Sequence, residues 1–439
     1  MSSASGQPQF TQTADLAGDC SLGADGQTLR WVFVAMITAS TIINVIDSNT
    51  LFVLAPSLQS KFRMSNTGYS YVVDAYLISF TAMYTGGGWF VDRVGEKIGM
   101  GGCVLWWSVA GMLHSVARGA LSLGIFRFLL GIGAPGNYPG ALRVCTTWFS
   151  KEERGLPVAI FSSSSSLGSL IAVPMVTWLA LRYGWQSAFL VTGFLGLVWT
   201  AIWTLVYRMP HRPVDSQGTA RGSESGDAMI QQKPESPLQL LKNPNVRAIV
   251  ASRLVSDPVW LFYLSWTPLY LAQAWGYSLR DIGLYAWIPF IFGGAGGIFA
   301  GVASDWLIRR GLKPARARKL LLYSAGAIAP LGMLIAFAGS AGFALALIAL
   351  MAFVSYIWYI NTATLIPDVF PARVVGSVLG LMGTAGTLLG IIFTWFVGFQ
   401  LDRFHSWKLL FVIAGSGHLL GSIILFRFLN EKPTEAHSA

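Results

Sequence analysis

Charge is what this chain has least of. Only 11% of its 439 residues are Asp, Glu, Lys or Arg, against about a quarter in a soluble domain. A chain so poor in charge cannot face water along most of its length. Cysteine is also scarce, and the spacing of Cys20, Cys103 and Cys145 makes neither a disulfide framework nor a metal knuckle. Cys103 and Cys145 fall in apolar runs and are expected as buried neutral thiols. The first thirty residues are polar and lack the apolar core of a secretory signal. There is no G-x-x-x-x-G-K-[ST] and no H-E-x-x-H, so neither a nucleotide-driven pump nor a membrane metalloprotease is expected. Nothing points to an enzyme, a cofactor or a metal.

What is present is apolar. Hydrophobic residues make up 54% of the chain, and its 48 glycines are scattered rather than periodic, which excludes collagen and suits close helix packing in lipid. A membrane span needs about 20 mostly apolar residues. Twelve runs qualify: 31–54, 69–91, 98–118, 121–146, 156–181, 187–207, 247–274, 282–308, 318–338, 342–366, 375–400 and 407–429. The expected fold is therefore an all-α membrane protein of twelve transmembrane helices in two six-helix bundles, 31–207 and 247–429. Residues 1–30 and 430–439 are expected as tails and 208–246, rich in Pro, Ser, Gly and Gln, as a linker loop.

The net charge of +10 raises the question of nucleic acid, and its distribution answers it. With the N-terminus inside, the inner loops and tails carry about 20 Lys and Arg and the outer loops about 7. Both termini are thus expected in the cytoplasm. The densest basic piece, "RRGLKPARARK" at 309–319, adjoins a span and reads as facing an anionic leaflet. The expected partners are the bilayer, protons and a small organic acid, with no nucleic acid, and the protein is expected as a monomer.

The two halves echo one another. "GGWFVDRVGEKIG" follows span 2, and "AGVASDWLIRRGLK" follows span 8. "TWFSKEERG" after span 4 matches "DVFPARVVG" after span 10. Parallel halves of this kind are a transporter architecture. G-x-x-x-D-R-x-G-x-K between spans 2 and 3 resembles the signature of the major facilitator superfamily. "SDPVWLFYLSWTPLYL", "GNYPGALRVCTTWFSKEERG", "NTATLIPDVFPARVVGSVLG" and "FVIAGSGHLL" are similar to stretches of its anion:cation symporter family, the hexuronate transporters above all. The resemblance covers nearly the whole chain. It implies proton-coupled uptake of a sugar acid such as glucuronate or galacturonate by alternating access, in a bacterial inner membrane.

Ionisable residues inside spans are costly in lipid and mark function. Asp47 lies in "TIINVIDSNTLFVLAP" and Arg127 in "GIFRFLLGIGAPGNYPGAL". A guanidinium fork matches a carboxylate at two points, so Arg127 is the expected substrate anchor. The family usually has Glu seven residues after this Arg, where this chain has Ala134, and often Arg after the span 1 Asp, where it has Ser48. Asp47 is left as the expected proton carrier. A substrate carboxylate that engages Arg127 would free Asp47 to take a proton, coupling the two by linkage. The competing reading is a static Asp47–Arg127 ion pair.

The remaining candidates are weaker. Tyr76, Phe80 and Tyr84 form one stripe in span 2, and Ser165 lies in "IFSSSSSLGSL" of span 5. Tyr263, Trp266, Trp358, Tyr359, Asn361, Asn44 and Ser48 complete the expected substrate contacts, although aromatic residues also belt membrane interfaces. The resemblance implies a gating latch from Asp92 and Arg93 to the start of span 11, with Asp305 and Arg309 as its degenerate copy. Arg253 and Asp257, four apart on span 7, are expected to pair as a structural or gating element. Asp74, near the outer end of span 2, is expected to be solvated or locally paired, and His114 and His418 are expected in packing. Phe80, where sugar-acid relatives often place Tyr, leaves an aromatic acid open as substrate. An exporter, a uniporter or a non-transporting sensor also remains open.

Overall fold

The computed structural model describes residues 24–149, 153–208 and 237–429, so most of the expected tails and linker lies outside the described residues. Besides a four-residue helix at Pro237–Leu240, twelve longer helical units are described. In the first half α1 is Ala24–Phe62, and Asn66–Leu113 forms α2 (66–94) and α3 (96–113). α4 (120–148) comprises Ala120–Gly133, a tight turn Ala134–Gly136 and Asn137–Trp148; α5 is Gly155–Tyr183 and α6 Trp185–Val206. In the second half α7 is Pro244–Trp275, α8 Leu279–Arg309, α9 Pro314–Phe337 and α10 Ala341–Val369. α11 is Ala372–Phe404 and α12 Lys408–Phe428. Below, the end at which α1 starts and α12 finishes is the near end, and the opposite end is the far end.

Local chemistry sets the boundaries. α2 and α3 run into one another because Gly95, at φ 80°, makes a left-handed turn that costs only glycine nothing. The Ser65 hydroxyl accepts from the Gly68 N–H at 2.9 Å and starts α2; Asn243 caps α7 through the Asn245 N–H at 2.9 Å. α4 breaks where Pro135 removes a donor. α1 begins seven residues before the hydrophobic edge, because backbone hydrogen bonding runs on through a polar turn. Among the described residues, eight helices are each long and apolar enough to cross a membrane. α7 reaches the length but carries Arg247, Arg253 and Asp257.

Within each half, helices meet at small residues, where backbones approach closely. A Cβ on Gly131 of α4 would collide with Ser79 and the Tyr76 carbonyl of α2, and one on Gly196 of α6 with Ser108 of α3. The second half uses the same device: Gly296 of α8 meets the α10 backbone at Phe353, and Gly421 of α12 meets Trp358.

The halves touch chiefly toward the far end. Asp402 of α11 accepts from the backbone N–H groups of Asn66 (2.9 Å) and Thr67 (2.8 Å) at the start of α2, and from Asn66 Nδ2 at 3.0 Å. Gln273 of α7 donates to Gln59 (3.2 Å) and Asn66 (2.8 Å). Tyr69 donates its hydroxyl to the Ser265 carbonyl at 2.8 Å. Toward the near end, Gly376, Gly380 and Gly383 of α11 face open space. The molecule is closed at the far end and opens toward the near one.

Candidate functional site

Beneath the far-end seal lies a small pocket between the halves. Asn49 and Phe52 of α1, Val173 of α5, Trp260 of α7, Phe290 of α8 and Ala352 of α10 line it. Its walls are mostly apolar and aromatic with few polar groups, the usual make-up of a small-molecule site. Asn49 donates to the Ser169 hydroxyl at 3.0 Å, tying α1 to α5 at the wall.

In the first half a buried cation stands behind the pocket wall. Asn44, Ser48 and Phe52 follow one another at helical spacing on α1. The Ser48 hydroxyl donates to the Asn44 carbonyl at 2.9 Å and lies 3.3 Å from the Tyr76 hydroxyl. Arg127 is fully buried behind this stripe. Its Nη2 donates to the Ser48 carbonyl at 3.0 Å, and its guanidinium lies 5.3 Å from the Phe52 ring centre and 5.1 Å from that of Tyr76. Arg127 Nε and Nη1 have no hydrogen-bond partner. Phe80 stacks beyond Tyr76 with ring centres 5.5 Å apart. The side chain of Tyr84 lies outside the described residues.

Asp47 is buried, and neither carboxylate oxygen has a hydrogen-bond partner of good geometry. It points from α1 toward α3, where a Cβ on Gly111 would sit 3.6 Å from Asp47 Oδ1. Asp47 and Arg127 are neighbours without a hydrogen bond between them. Asp74, expected to be solvated or locally paired, is instead buried with Oδ1 unpartnered, because the first turns of α2 are covered by neighbouring helices.

The second half supplies another charged cluster. Arg253 Nε lies 2.9 Å from Asp257 Oδ1, and its guanidinium sits 4.6 Å from the Tyr359 ring centre. Other candidates pack elsewhere. Asn361 is buried and donates to the Ile357 carbonyl of its own helix at 2.9 Å. Trp358 packs against His418 at 5.4 Å, and His418 meets the Ser355 hydroxyl at 2.9 Å. Trp266 packs edge-on against Tyr69 at 5.1 Å, in the far-end seal. Tyr263 lines the pocket, but its hydroxyl lies toward Gly332 of α9 and has no partner. Ser165 is half-buried, and its carbonyl accepts from Ser169 at 3.2 Å.

Of the near-end candidates, Arg93, Asp305 and Arg309 are exposed, and the side chain of Asp92 lies outside the described residues. Sequence reasoning passed over Glu96 of the same motif, which is buried and accepts from Arg143 at 3.1 Å and Tyr207 at 2.9 Å. It also missed Asn49, although a mid-span amide is the signal that singled out Asn361. Tyr356, which lies edge-on to Trp260 at 5.0 Å, carried no comparable signal.

The profile of the Major Facilitator Superfamily matches residues 37–394. The chain belongs to that superfamily. It is thus a multi-pass membrane transporter and not an enzyme. It is 28% identical to the hexuronate transporter of Escherichia coli K12, over 92% of this chain and 95% of that one. To the galacturonate transporter of Dickeya chrysanthemi it is 30% identical, over 62% of this chain and 81% of the relative. The xylose transporter of E. coli, solved in an inward-open conformation, shares the fold with a TM-score of 0.72 at 15% identity, over 92% of this chain and 98% of that one.

Proposed function

We propose that this family member is a secondary active transporter that imports an organic monocarboxylate, a hexuronate or related sugar acid, together with a proton. The observation that carries the reading is Arg127: a fully buried guanidinium behind the pocket wall with two nitrogens unpartnered. A buried cation needs an acceptor, and a substrate carboxylate supplies one. Relatives that transport hexuronate and galacturonate support the same substrate class. Asn44, Ser48, Asn49 and Tyr76 offer hydroxyl and amide partners to a sugar, and Asp47 beside Arg127 is the coupling acid.

The excess of Lys and Arg on the near-end loops argues that this end is cytoplasmic. The protein then stands inward-open in a bacterial inner membrane, with both termini in the cytoplasm. Alternating access means breaking the Asp402 seal while the near end closes. The test is uptake of labelled glucuronate into proteoliposomes under an imposed proton gradient. Accumulation that collapses with an uncoupler supports symport. Gradient-independent counterflow would sink the coupling, and absence of any flux would sink transport of this substrate.

A second reading has an observation of its own. Phe52, Trp260, Tyr263 and Phe290 crowd the pocket and suit the flat face of an aromatic acid. Competition of glucuronate uptake by a benzoate series separates the two.

A further inference from the structure

We infer that the Arg253–Asp257 pair of α7 is a second anion-binding subsite, which an anionic group of the substrate occupies by taking Arg253 from Asp257. The inference rests on the organic-acid reading above and, in place of the monocarboxylate given there, narrows the preferred sugar acid to one with two anionic groups.

Placement comes first. Arg253, Asp257, Trp260 and Leu264 fall at i, i+4, i+7 and i+11, one face of α7, and Trp260 and Leu264 line the pocket. On α10, Tyr359 lies two turns along from Ala352, a pocket residue, and is 52% exposed. The pair therefore stands on the cavity wall, one step toward the open end from the pocket.

Incomplete pairing comes second. Arg253 is 2% exposed and its Nε stands 2.9 Å from Asp257 Oδ1 as an ion pair, yet neither Nε nor Nη1 has a hydrogen-bond partner of good geometry. A guanidinium offers a fork of donors that a carboxylate can take two at a time. The Tyr359 ring beneath it holds the plane of that fork. α11 leaves space for Asp257, because a Cβ at Gly386 would run into its carboxylate. The groups around the acid are Arg253 on its own helix, Tyr359 of α10 and the non-titrating Gly386 of α11. His418 of α12, in the field of Arg253, is engaged with Ser355.

The exchange balances without any covalent step. An anionic oxygen of the substrate takes the Arg253 fork, Asp257 loses its counter-charge, and a proton from water at the open end neutralises it. One anion and one proton enter together. With Arg127 in the first half, each bundle then presents one buried guanidinium with unpartnered nitrogens. The ligand class that engages both is a dicarboxylate of sugar size.

The test is calorimetric binding of galactarate, a dicarboxylate, and glucuronate, a monocarboxylate, to purified full-length protein at acidic and neutral pH. Wild-type protein should bind galactarate the more tightly, and more so at acidic pH. Asp257→Asn removes the competing carboxylate, so galactarate affinity at neutral pH should rise toward the acidic value and keep only the weaker pH dependence that Asp47 gives, the one glucuronate shows. Arg253→Gln should weaken galactarate roughly tenfold or more and leave glucuronate nearly unchanged, with thermal unfolding confirming the fold. Asp257→Asn that keeps the wild-type pH dependence overturns the subsite, as does Arg253→Gln that weakens both acids equally or neither. Wild-type protein that binds glucuronate but prefers it to galactarate overturns the subsite alone. Wild-type protein that binds neither acid overturns the organic-acid reading beneath it.

Discussion

At the scale of single residues, Arg127 and Asp47 differ in how they meet the burden of burial. Arg127 hands one donor to the Ser48 carbonyl and spreads its plane near Phe52 and Tyr76, which leaves the rest of its fork for a ligand. Arg127→Ala should therefore cost about 2–4 kcal/mol of acid binding, on the order of a hundredfold in affinity; retained affinity in a calorimetric titration would remove its carboxylate role. Asp47 makes no hydrogen bond of good geometry, with Thr192 of α6 its polar neighbour, and its carboxylate lies off the pocket-facing stripe of α1. Asp47→Asn should abolish gradient-driven accumulation in proteoliposomes and spare counterflow exchange. Normal accumulation by that variant would move the coupling proton elsewhere, Asp257 being the next acid to examine. Both residues were legible in the sequence as costly charges in apolar runs. Their lack of a mutual hydrogen bond was not, since a rotation of about 100° per residue on α1 separates position 47 from position 48.

At the scale of elements, α4 shows how much the site depends on close packing. Gly131 brings the α4 backbone against Ser79 and Tyr76 of α2, one turn from Arg127, so the same contact that joins the helices sets the guanidinium against Tyr76. Gly131→Ala should destabilise the protein by about 1–3 kcal/mol through overpacking, read as a lowered unfolding temperature in detergent, and should weaken acid binding because Tyr76 shifts. An unchanged melting curve would mean that α2 yields freely at this contact. Apart from α1, which outruns the expected 31–54 by seven residues at its start and eight at its end, spans were readable from hydropathy to within about five residues. The joining of α2 and α3 through Gly95, the break in α4 and the early start of α1 were not, because backbone hydrogen bonding ignores the edge of an apolar run.

At the scale of the whole molecule, the Asp402 seal ties the second half to the first turn of α2. Its carboxylate satisfies two backbone N–H groups that α2 cannot pair internally, and the helix dipole favours an anion there. Asp402→Asn should weaken the seal by about 1–2 kcal/mol, roughly a tenfold shift of population toward a far-end-open state. Spin labels at Lys61 and Arg403 should report it as a longer distance between the halves at the far end; an unchanged distance distribution would show that Gln273 and Tyr69 suffice to hold it.

The amino-acid sequence by itself determined that this chain lives in a bilayer, that it has twelve spans in two related halves, and that Asp47, Arg127, Arg253 and Asp257 must find company inside them. Those conclusions rest on quantities that accumulate along the chain: transfer cost, span length, repeated motifs. Tertiary structure alone decided which of these groups face the same cavity. Asn361, Trp266 and Trp358 went to helix packing, Asn49 and Trp260 to the pocket wall, and Asp402 to the seal between halves. The reason is geometric. A side chain's role in a helical bundle depends on which neighbour its face meets, and that is set by contacts between residues hundreds of positions apart, such as Asn66 with Asp402.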